Sequence, residues 1–421
     1  MNNIINRRDF LKFLGFSTAS FVLTPSLLNA ATNPSIVVVG GGFAGSTCAK
    51  YLKLWGGNSV DVTIIEENVN YVSPILSNMV LNDQKTLSNI TFNYQAHANT
   101  YSINMVHKKL LTVDKTNKVL TLDDSSTLNY DYLVLAPGID FTYVNSYDTT
   151  VVPHAWTAGA QITELKSQID TMVDGDEFVM SIPKSPYRCP PGPYERACVV
   201  ADYLKNIKGF TNSKVTVLDA NADIIVEKDT FGSAFTSYGV EYIPNATITN
   251  VNSDSKTVSY DTLIDTAVSK SAKVLNIIPN QKAAQVIFDA GLNSGNWASV
   301  DPISYESTIS SGIYIIGDSQ GTSQPKAGHI GNSEAKVCAD AILRTINNVA
   351  LYDNPKTNSA CYSPISTTKA SWLTVVYEYD SQAKDMKPVS GASYPAAGAA
   401  STTNYRKMSG WSTNLFKDTF Y

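Results

Sequence analysis

The chain has 421 residues, enough for two or three domains of ~100–200 residues each, and its 43% apolar content is that of an ordinary globular protein. A formal charge of −5 argues against a nucleic-acid surface, and four scattered histidines do not suggest a metal cluster. Residues 1–31 read as a targeting segment rather than as fold. Arg7 and Arg8 stand in Asn6-Arg7-Arg8-Asp9-Phe10-Leu11-Lys12, the twin-arginine export pattern. The apolar stretch Phe13 to Leu28 is too short and too rich in Ser and Thr to span a membrane, and Asn29-Ala30-Ala31 offers small residues for cleavage. Export by this route carries folded, cofactor-loaded chains, and it implies the periplasm, where disulfides persist.

The strongest local signal runs from Ser35 to Glu66. Ile36 to Val39 reads as a short buried parallel strand. Gly40, Gly42 and Gly45 follow as G-x-G-x-x-G, with Phe43 and Ala44 inside the motif. The first glycine permits the tight turn, the second lets backbone approach a pyrophosphate, and the third lets the helix pack on the strand. A helix is expected over Ser46–Leu54, its N-terminal amides facing phosphate. A second strand, Val60 to Ile65, delivers Glu66 about 20 residues beyond the last glycine, where an acid accepts ribose hydroxyls. Strand, glycine turn, helix and acid together point to dinucleotide binding.

Asn70 to Asn78 reads as a loop. Tyr101–Asp114 and Lys118–Leu122 alternate like antiparallel strands, with Val106 in the first. Tyr130 to Leu135 is a buried strand ending in Ala136-Pro137-Gly138, the kind of turn that two-domain flavoproteins set against FAD. Glu177 to Ile182 should open a second βαβ unit, but its turn, Pro183 to Pro193, has no glycine motif. Its prolines remove backbone donors, so it is a poor cradle for NAD. Gly312 to Asp318 is a strand ending in Gly317-Asp318, and Asn332–Ile346 is a helix. Beyond Leu351 come polar, aromatic strand-like segments, then a Ser-, Ala- and Gly-rich loop from Val389 to Thr403, then the tail Trp411–Tyr421.

The expected fold class is therefore α/β, with two dinucleotide-binding domains of glutathione-reductase type, the second lacking an NAD site, plus a C-terminal α+β domain facing flavin and partner. The expected boundaries are 34–150 with 286–350, then 151–285, then 351–421.

Five cysteines remain. Cys48 and Cys338 fall on apolar helix faces and Cys198 on a helical turn, so these read as core. Cys189 and Cys361 read as loop cysteines, and the helix opened by Pro193 would favour a Cys189 thiolate. Their separation leaves three options open: a structural disulfide, two unrelated thiols, or a redox disulfide.

Arg188-Cys189-Pro190-Pro191-Gly192-Pro193-Tyr194-Glu195-Arg196-Ala197, Asn358 to Ser363 and the end from Trp411 to Phe420 resemble the flavoprotein subunit of flavocytochrome c sulfide dehydrogenase. The resemblance covers nearly the whole chain after residue 31. It implies FAD-dependent oxidation of sulfide through a redox disulfide that maps onto Cys189 and Cys361. It places an active-site acid at Glu195, an aromatic beside the flavin at Trp411, and FAD contacts at Gly40, Gly42, Phe43, Ala44, Gly45, Glu66, Val106, Ala136, Gly138, Gly317 and Asp318. Lys326 reads either as a group holding the reduced flavin's charge or as a solvated loop lysine. Electrons would pass to a c-type cytochrome on a partner chain, since this sequence has no C-x-x-C-H. Some members attach FAD through a cysteine in the 71–78 loop; Pro74 stands at that position, which implies non-covalent FAD. Two alternatives stay open: a sulfide:quinone reductase, and a non-catalytic flavoprotein partner of a sulfur-oxidation complex.

Overall fold

A computed structural model describes residues 33–394 and 400–421 of the chain. Arg7, Arg8 and the rest of the expected export segment lie outside the described residues. Ile36 to Val39 form strand β1 (Ser35–Val39), buried along its length. Gly40 turns the chain into helix α1 (Phe43–Gly56), longer than the helix expected at 46–54. Strands β2 (Asp61–Ile65), β3 (Asn104–Val106) and β4 (Tyr132–Leu135) join β1 in parallel. The 101–114 stretch therefore divides: β3 is a parallel edge strand, and only Leu110–Asp114 enters the expected antiparallel arrangement, pairing with Val119–Leu122.

Further along the chain, β5 (Glu177–Ile182) leads into α2 (Gly192–Asp202), and β6 (Lys214–Asp219), β7 (Glu241–Pro244) and β8 (Val274–Ile277) complete a four-stranded parallel sheet in the order β7-β6-β5-β8. The chain then returns to the first sheet with β9 (Ile313–Ile315), parallel to β4. That sheet has seven strands, with Val300–Asp301 and Glu306–Ser307 antiparallel at the edge beyond β9. Helix α3 (Gly328–Ile346) lies along α1, with Ala44, Cys48 and Ala49 facing Ala335, Cys338 and Ala339 in one buried cluster. Small side chains at this contact let the two backbones approach and hold both helix N-termini at the same end of the sheet.

Three antiparallel strands and a helix finish the chain: β10 (Lys356–Pro364), β11 (Ala370–Asp380), β12 (Asp385–Tyr394) and α4 (Thr402–Phe420). The small-residue stretch from Val389 that read as a loop begins as β12, because Val375 of β11 supplies a partner for Ser393. Helix α4 was not expected from the sequence, although Met408, Leu415, Phe416 and Phe420 recur at helical spacing. It forms because Met408, Leu415, Phe416 and Phe420 bury against Phe43 and Phe92, with Phe92 and Phe420 stacked at 4.7 Å.

The C-terminal carbonyls of a helix have no intrahelical donors. Lys50 of α1 supplies them for α4. Its Nζ donates to the carbonyls of Lys417 (3.2 Å), Asp418 (2.9 Å) and Tyr421 (2.5 Å). Asp418 in turn accepts from Tyr51 (2.7 Å) and Asn332 (2.9 Å) and pairs with Lys336 (2.7 Å). Lys50→Met strands these carbonyls and is expected to cost ~1–3 kcal/mol in chemical denaturation. An unchanged midpoint would show that the apolar face of α4 suffices.

Candidate functional site

The glycine turn after β1 is tightly enclosed. A Cβ on Gly40 would sit 2.3 Å from the Ala136 carbonyl, and one on Gly45 would sit 1.9 Å from the Gly40 carbonyl. Gly42 caps α1 with no side chain, so the first-turn amides of Phe43 to Gly45 have no side-chain partner. The buried Tyr94 hydroxyl, which lies over Gly41, has no hydrogen-bond partner. Backbone donors, absent Cβ atoms and an orphaned hydroxyl fit the pyrophosphate of a dinucleotide.

Glu66 stands at the tip of β2, and its amide donates to Val106 O (3.0 Å). Its carboxylate accepts from Gly41 N (2.8 Å) and Asn68 N (2.9 Å). Gly40, Glu66, Lys108 and Pro137 line one open groove. Gly138 accepts from the Ser319 hydroxyl. Gly317 rests on Ala44, and its amide donates to Glu334 Oε2 (2.8 Å). Asp318 sits 4.0 Å from Arg188 Nη1. Phe43 turns its ring away from this turn, into the cluster with Phe416 and Phe420.

A second cavity brings together Cys189, Cys361, Glu195 and Trp411 with Pro74 and Asn78. Cys189 lies in the turn between β5 and α2, with a left-handed φ of 58°. The place where a nucleotide fold would carry glycines thus carries a thiol. Its amide donates to Lys326 O (2.6 Å), and its carbonyl accepts from Gly192 N (2.9 Å). Gly192 is required here, because a Cβ would sit 2.9 Å from Cys189 Sγ. Cys361 lies in strand β10, not in the expected loop, opposite Leu373 of β11. The neighbouring Ala360 amide donates to His329 Nδ1 (3.0 Å), which ties β10 to the start of α3. Both cysteines are free thiols in this structure.

The expectation of a Cys189 thiolate is corrected. Burial, reinforced by the Glu195 charge, pushes its thiol up to about 12. Burial and then the neighbouring Cys189 carry Cys361 well above the ordinary thiol value. A helix terminus contributes only ~0.3–1 kcal/mol, too little to offset desolvation of this size.

Glu195 is buried, and burial pushes its carboxyl up to about 8, held from rising further by Asn78 and Arg196. Asn78 Nδ2 donates to Glu195 Oε1 (2.9 Å), while Asn78 Oδ1 accepts from Arg196 Nε (2.9 Å). Arg196 is 1% exposed and also donates to the carbonyls of His154 (2.8 Å) and Ala155 (2.7 Å) and to Asn276 Oδ1 (3.0 Å). Burial lowers its guanidinium to about 9, which leaves it a cation at neutral pH.

Trp411 on α4 meets Tyr362 at 5.6 Å and His329 at 6.0 Å, and its indole N–H, like that of Trp156 in the same cavity, is buried without a partner. Two unpaired N–H donors fit a ligand with ring acceptors. Lys326 is 3% exposed, so it is not a solvated loop lysine; its ammonium donates to Gln320 O (2.5 Å) and lies 3.6 Å from the Trp297 ring centre. Sequence reasoning missed Asn78 and Glu334, which carry no motif, and passed over Arg196, although it adjoins Glu195.

Comparison with known families matches residues 162–279 to sulfide dehydrogenase (flavocytochrome c) flavoprotein chain, central; residues 34–154 to pyridine nucleotide-disulphide oxidoreductase; and residues 353–420 to flavocytochrome c sulphide dehydrogenase, flavin-binding. Among solved structures, the sulfide:quinone oxidoreductase of Aquifex aeolicus shares the fold at TM-score 0.76 and 16% identity, over 92% of this chain and 91% of that one. An NAD-dependent persulfide reductase from A. fulgidus aligns at TM-score 0.59 and 14% identity, over 91% and 77%. NDH2 from Plasmodium falciparum aligns at 0.67 and 11%, over 92% and 97%.

Removing the Asn78 amide removes a hydrogen bond that favours the Glu195 carboxylate. Asn78→Ala is therefore expected to move the Glu195 titration above pH 8, followed by the infrared carboxyl band. A band that titrates as in the parent protein would dissociate the two groups.

Proposed function

Because this chain belongs to the family of flavocytochrome c sulfide dehydrogenase flavoprotein chains, we propose that it oxidises sulfide at the Cys189–Cys361 pair in the periplasm and passes the electrons to a c-type cytochrome. It is a flavin-dependent sulfide dehydrogenase, and FAD is its cofactor. The observation that carries the mechanism is the single cavity holding both cysteines, Glu195 and Trp411. In the oxidised pair, hydrosulfide attacks one sulfur; the Cys189–Cys361 bond breaks, a persulfide bond forms, and the other sulfur leaves as thiolate. Desolvation at the cavity disfavours that thiolate, so the reaction moves protons as well as sulfur. Glu195, its carboxyl pushed up to about 8 by burial, can exchange them close to neutral pH. Bound FAD supplies a two-electron acceptor that can pass electrons on to a one-electron partner.

The dinucleotide groove and glycine turn would hold the nucleotide half of FAD, and the unpaired indole donors of Trp156 and Trp411 would face its ring system. Pro74, in the cavity wall, has no nucleophile, which supports non-covalent attachment. A cytochrome rather than a quinone acceptor is supported by α4, whose apolar residues turn inward. Among the described residues no helix is long and apolar enough to cross a membrane. The twin-arginine pattern at Arg7-Arg8 supports the periplasm.

Anaerobic addition of near-stoichiometric sulfide is expected to bleach the flavin, and a c-type cytochrome to restore it. No bleaching in a flavin that dithionite still reduces would overturn the cysteine mechanism. Cys361→Ser should abolish sulfide-driven bleaching while leaving FAD bound. Glu195→Gln should slow it ~10²–10⁴-fold and remove a limb of the pH profile near 8. Acid precipitation should release the flavin into the supernatant; colour kept in the pellet would mean a covalent link.

A further inference from the structure

Arg196 lines the cysteine cavity and is 1% exposed. A guanidinium this deep is expected to meet a carboxylate, because a buried charge without a counter-charge is costly. Here every acceptor is neutral: the amide oxygens of Asn78 and Asn276, and the carbonyls of His154 and Ala155. Among the described residues Arg196 forms no ion pair. Arg188, the other guanidinium in the cavity wall, differs, since it faces the Asp318 carboxylate at 4.0 Å. A guanidinium carries five N–H donors. The four bonds of Arg196 leave one Nη2 hydrogen without an acceptor among the described residues. The guanidinium lies 4.8 Å from the ring centre of Trp156, which also lines the cavity.

The rest of the wall does not offset this charge. Glu195 is the one acid among the lining residues, and burial pushes its carboxyl up to about 8, so it keeps its proton at neutral pH. Burial holds Cys189 and Cys361 as neutral thiols and raises Tyr362. It also lowers His329 to about 4, which leaves that ring uncharged. The groups behind the wall are neutral as well. Burial carries Tyr147 and Cys198 well above their ordinary values and lowers His154 to about 3. Glu227 stands outside the wall, its carboxyl pushed up to about 7 by burial.

We propose that Arg196 sets the charge of the substrate: without a carboxylate partner, its guanidinium makes the cysteine cavity a site for one small monovalent anion, and hydrosulfide enters as that anion. This rests on the disulfide mechanism proposed above. With Glu195 protonated, the Arg196 charge stands unopposed and attracts the anion; with Glu195 ionised, the two cancel. The step balances on that basis. An electron pair of hydrosulfide forms the bond to one sulfur of the oxidised Cys189–Cys361 pair. The pair of electrons from the broken inter-cysteine bond stays on the departing sulfur, which takes the Glu195 proton and ends as a thiol. The negative charge that arrived with hydrosulfide ends on the Glu195 carboxylate, while Arg196 stays a cation throughout. Arg196 is thus a specificity-determining residue, and Glu195 decides when its charge is available.

The test uses the flavin-loaded full chain, with iodide as the probe at constant ionic strength; iodide is a soft monovalent anion that carries no proton. In the parent protein iodide is expected to compete with sulfide in anaerobic bleaching, raising the sulfide concentration that gives half the limiting rate and leaving that rate unchanged. Its inhibition should weaken ~10-fold from pH 7 to pH 9, as Glu195 ionises around 8. Glu195→Gln should keep the competition and lose that pH dependence. Arg196→Gln should weaken iodide inhibition ~10-fold or more and raise the half-saturating sulfide with it. Arg196→Lys, which keeps the charge, should restore most of both. Iodide that does not compete in the parent, or competes equally at pH 7 and pH 9, overturns the proposal, as does parent-like inhibition in an Arg196→Gln protein that retains its flavin. Where Arg196→Gln fails to fold, the parent and Glu195→Gln decide. A second readout is independent of turnover. An anion that prefers protonated Glu195 must raise the titration of that acid, so saturating iodide should move its infrared carboxyl band to higher pH; an unmoved band counts against the proposal. If sulfide fails to bleach the parent protein, the disulfide mechanism falls, and the infrared titration alone decides whether the cavity is an anion site.

Discussion

The site depends on one buried guanidinium. Arg196 cannot shed its charge cheaply, so every element packed against it must offer an acceptor. Three stretches do: Asn78 from the loop after β2, the carbonyls of His154 and Ala155, and Asn276 on β8. The Arg196 ring of contacts therefore joins the glycine-turn half of the fold to the second parallel sheet at the cysteine cavity. It also settles the Asn78 amide. Its oxygen must face Arg196, so its nitrogen must face Glu195, and only one of the two amide orientations satisfies both. The position of the acid beside Cys189 follows from the needs of the arginine next to it in the chain.

Desolvation sets the second constraint. The thiols and the carboxyl group that line the cavity are pushed toward their neutral forms, Cys189 to about 12 and Glu195 to about 8. Histidine obeys the same rule with the opposite sign. Burial lowers His329 to about 4, so the ring is neutral and its Nδ1 is free to accept from the Ala360 amide. In an environment that resists charge, any reaction that would leave one of these thiols charged must also move a proton. Glu195, pushed up to about 8, is the acid beside two thiols whose own titration lies far higher.

The second parallel sheet shows how a nucleotide fold is redirected. Its turn after β5 retains the position at the carboxyl end of a strand where ligands collect in α/β folds. Prolines replace the glycines, and the backbone instead presents Cys189, strapped to Lys326 by one hydrogen bond and overlaid on Gly192. The C-terminal strands then bring Cys361 over the same turn, while α4, clamped by Lys50, brings Trp411.

What the sequence determined by itself was short-range. The β1–α1–β2 unit, the acid Glu66 and the loss of glycines after β5 depend on spacing within a few dozen residues, and motif and periodicity report such spacing directly. The run around Cys189 and Glu195 was legible only through its resemblance to a known family. Tertiary structure alone decided the rest. Cys361 sits on a strand because β11 pairs with it; α4 is a helix because Phe43 and Phe92 receive its aromatic face; and the Cys189 thiol is pushed up by its packed surroundings. Asn78 carries no local pattern, since its contacts with Glu195 and Arg196 exist only once distant segments meet. Desolvation and long-range pairing are properties of the packed chain, and no window of sequence contains them.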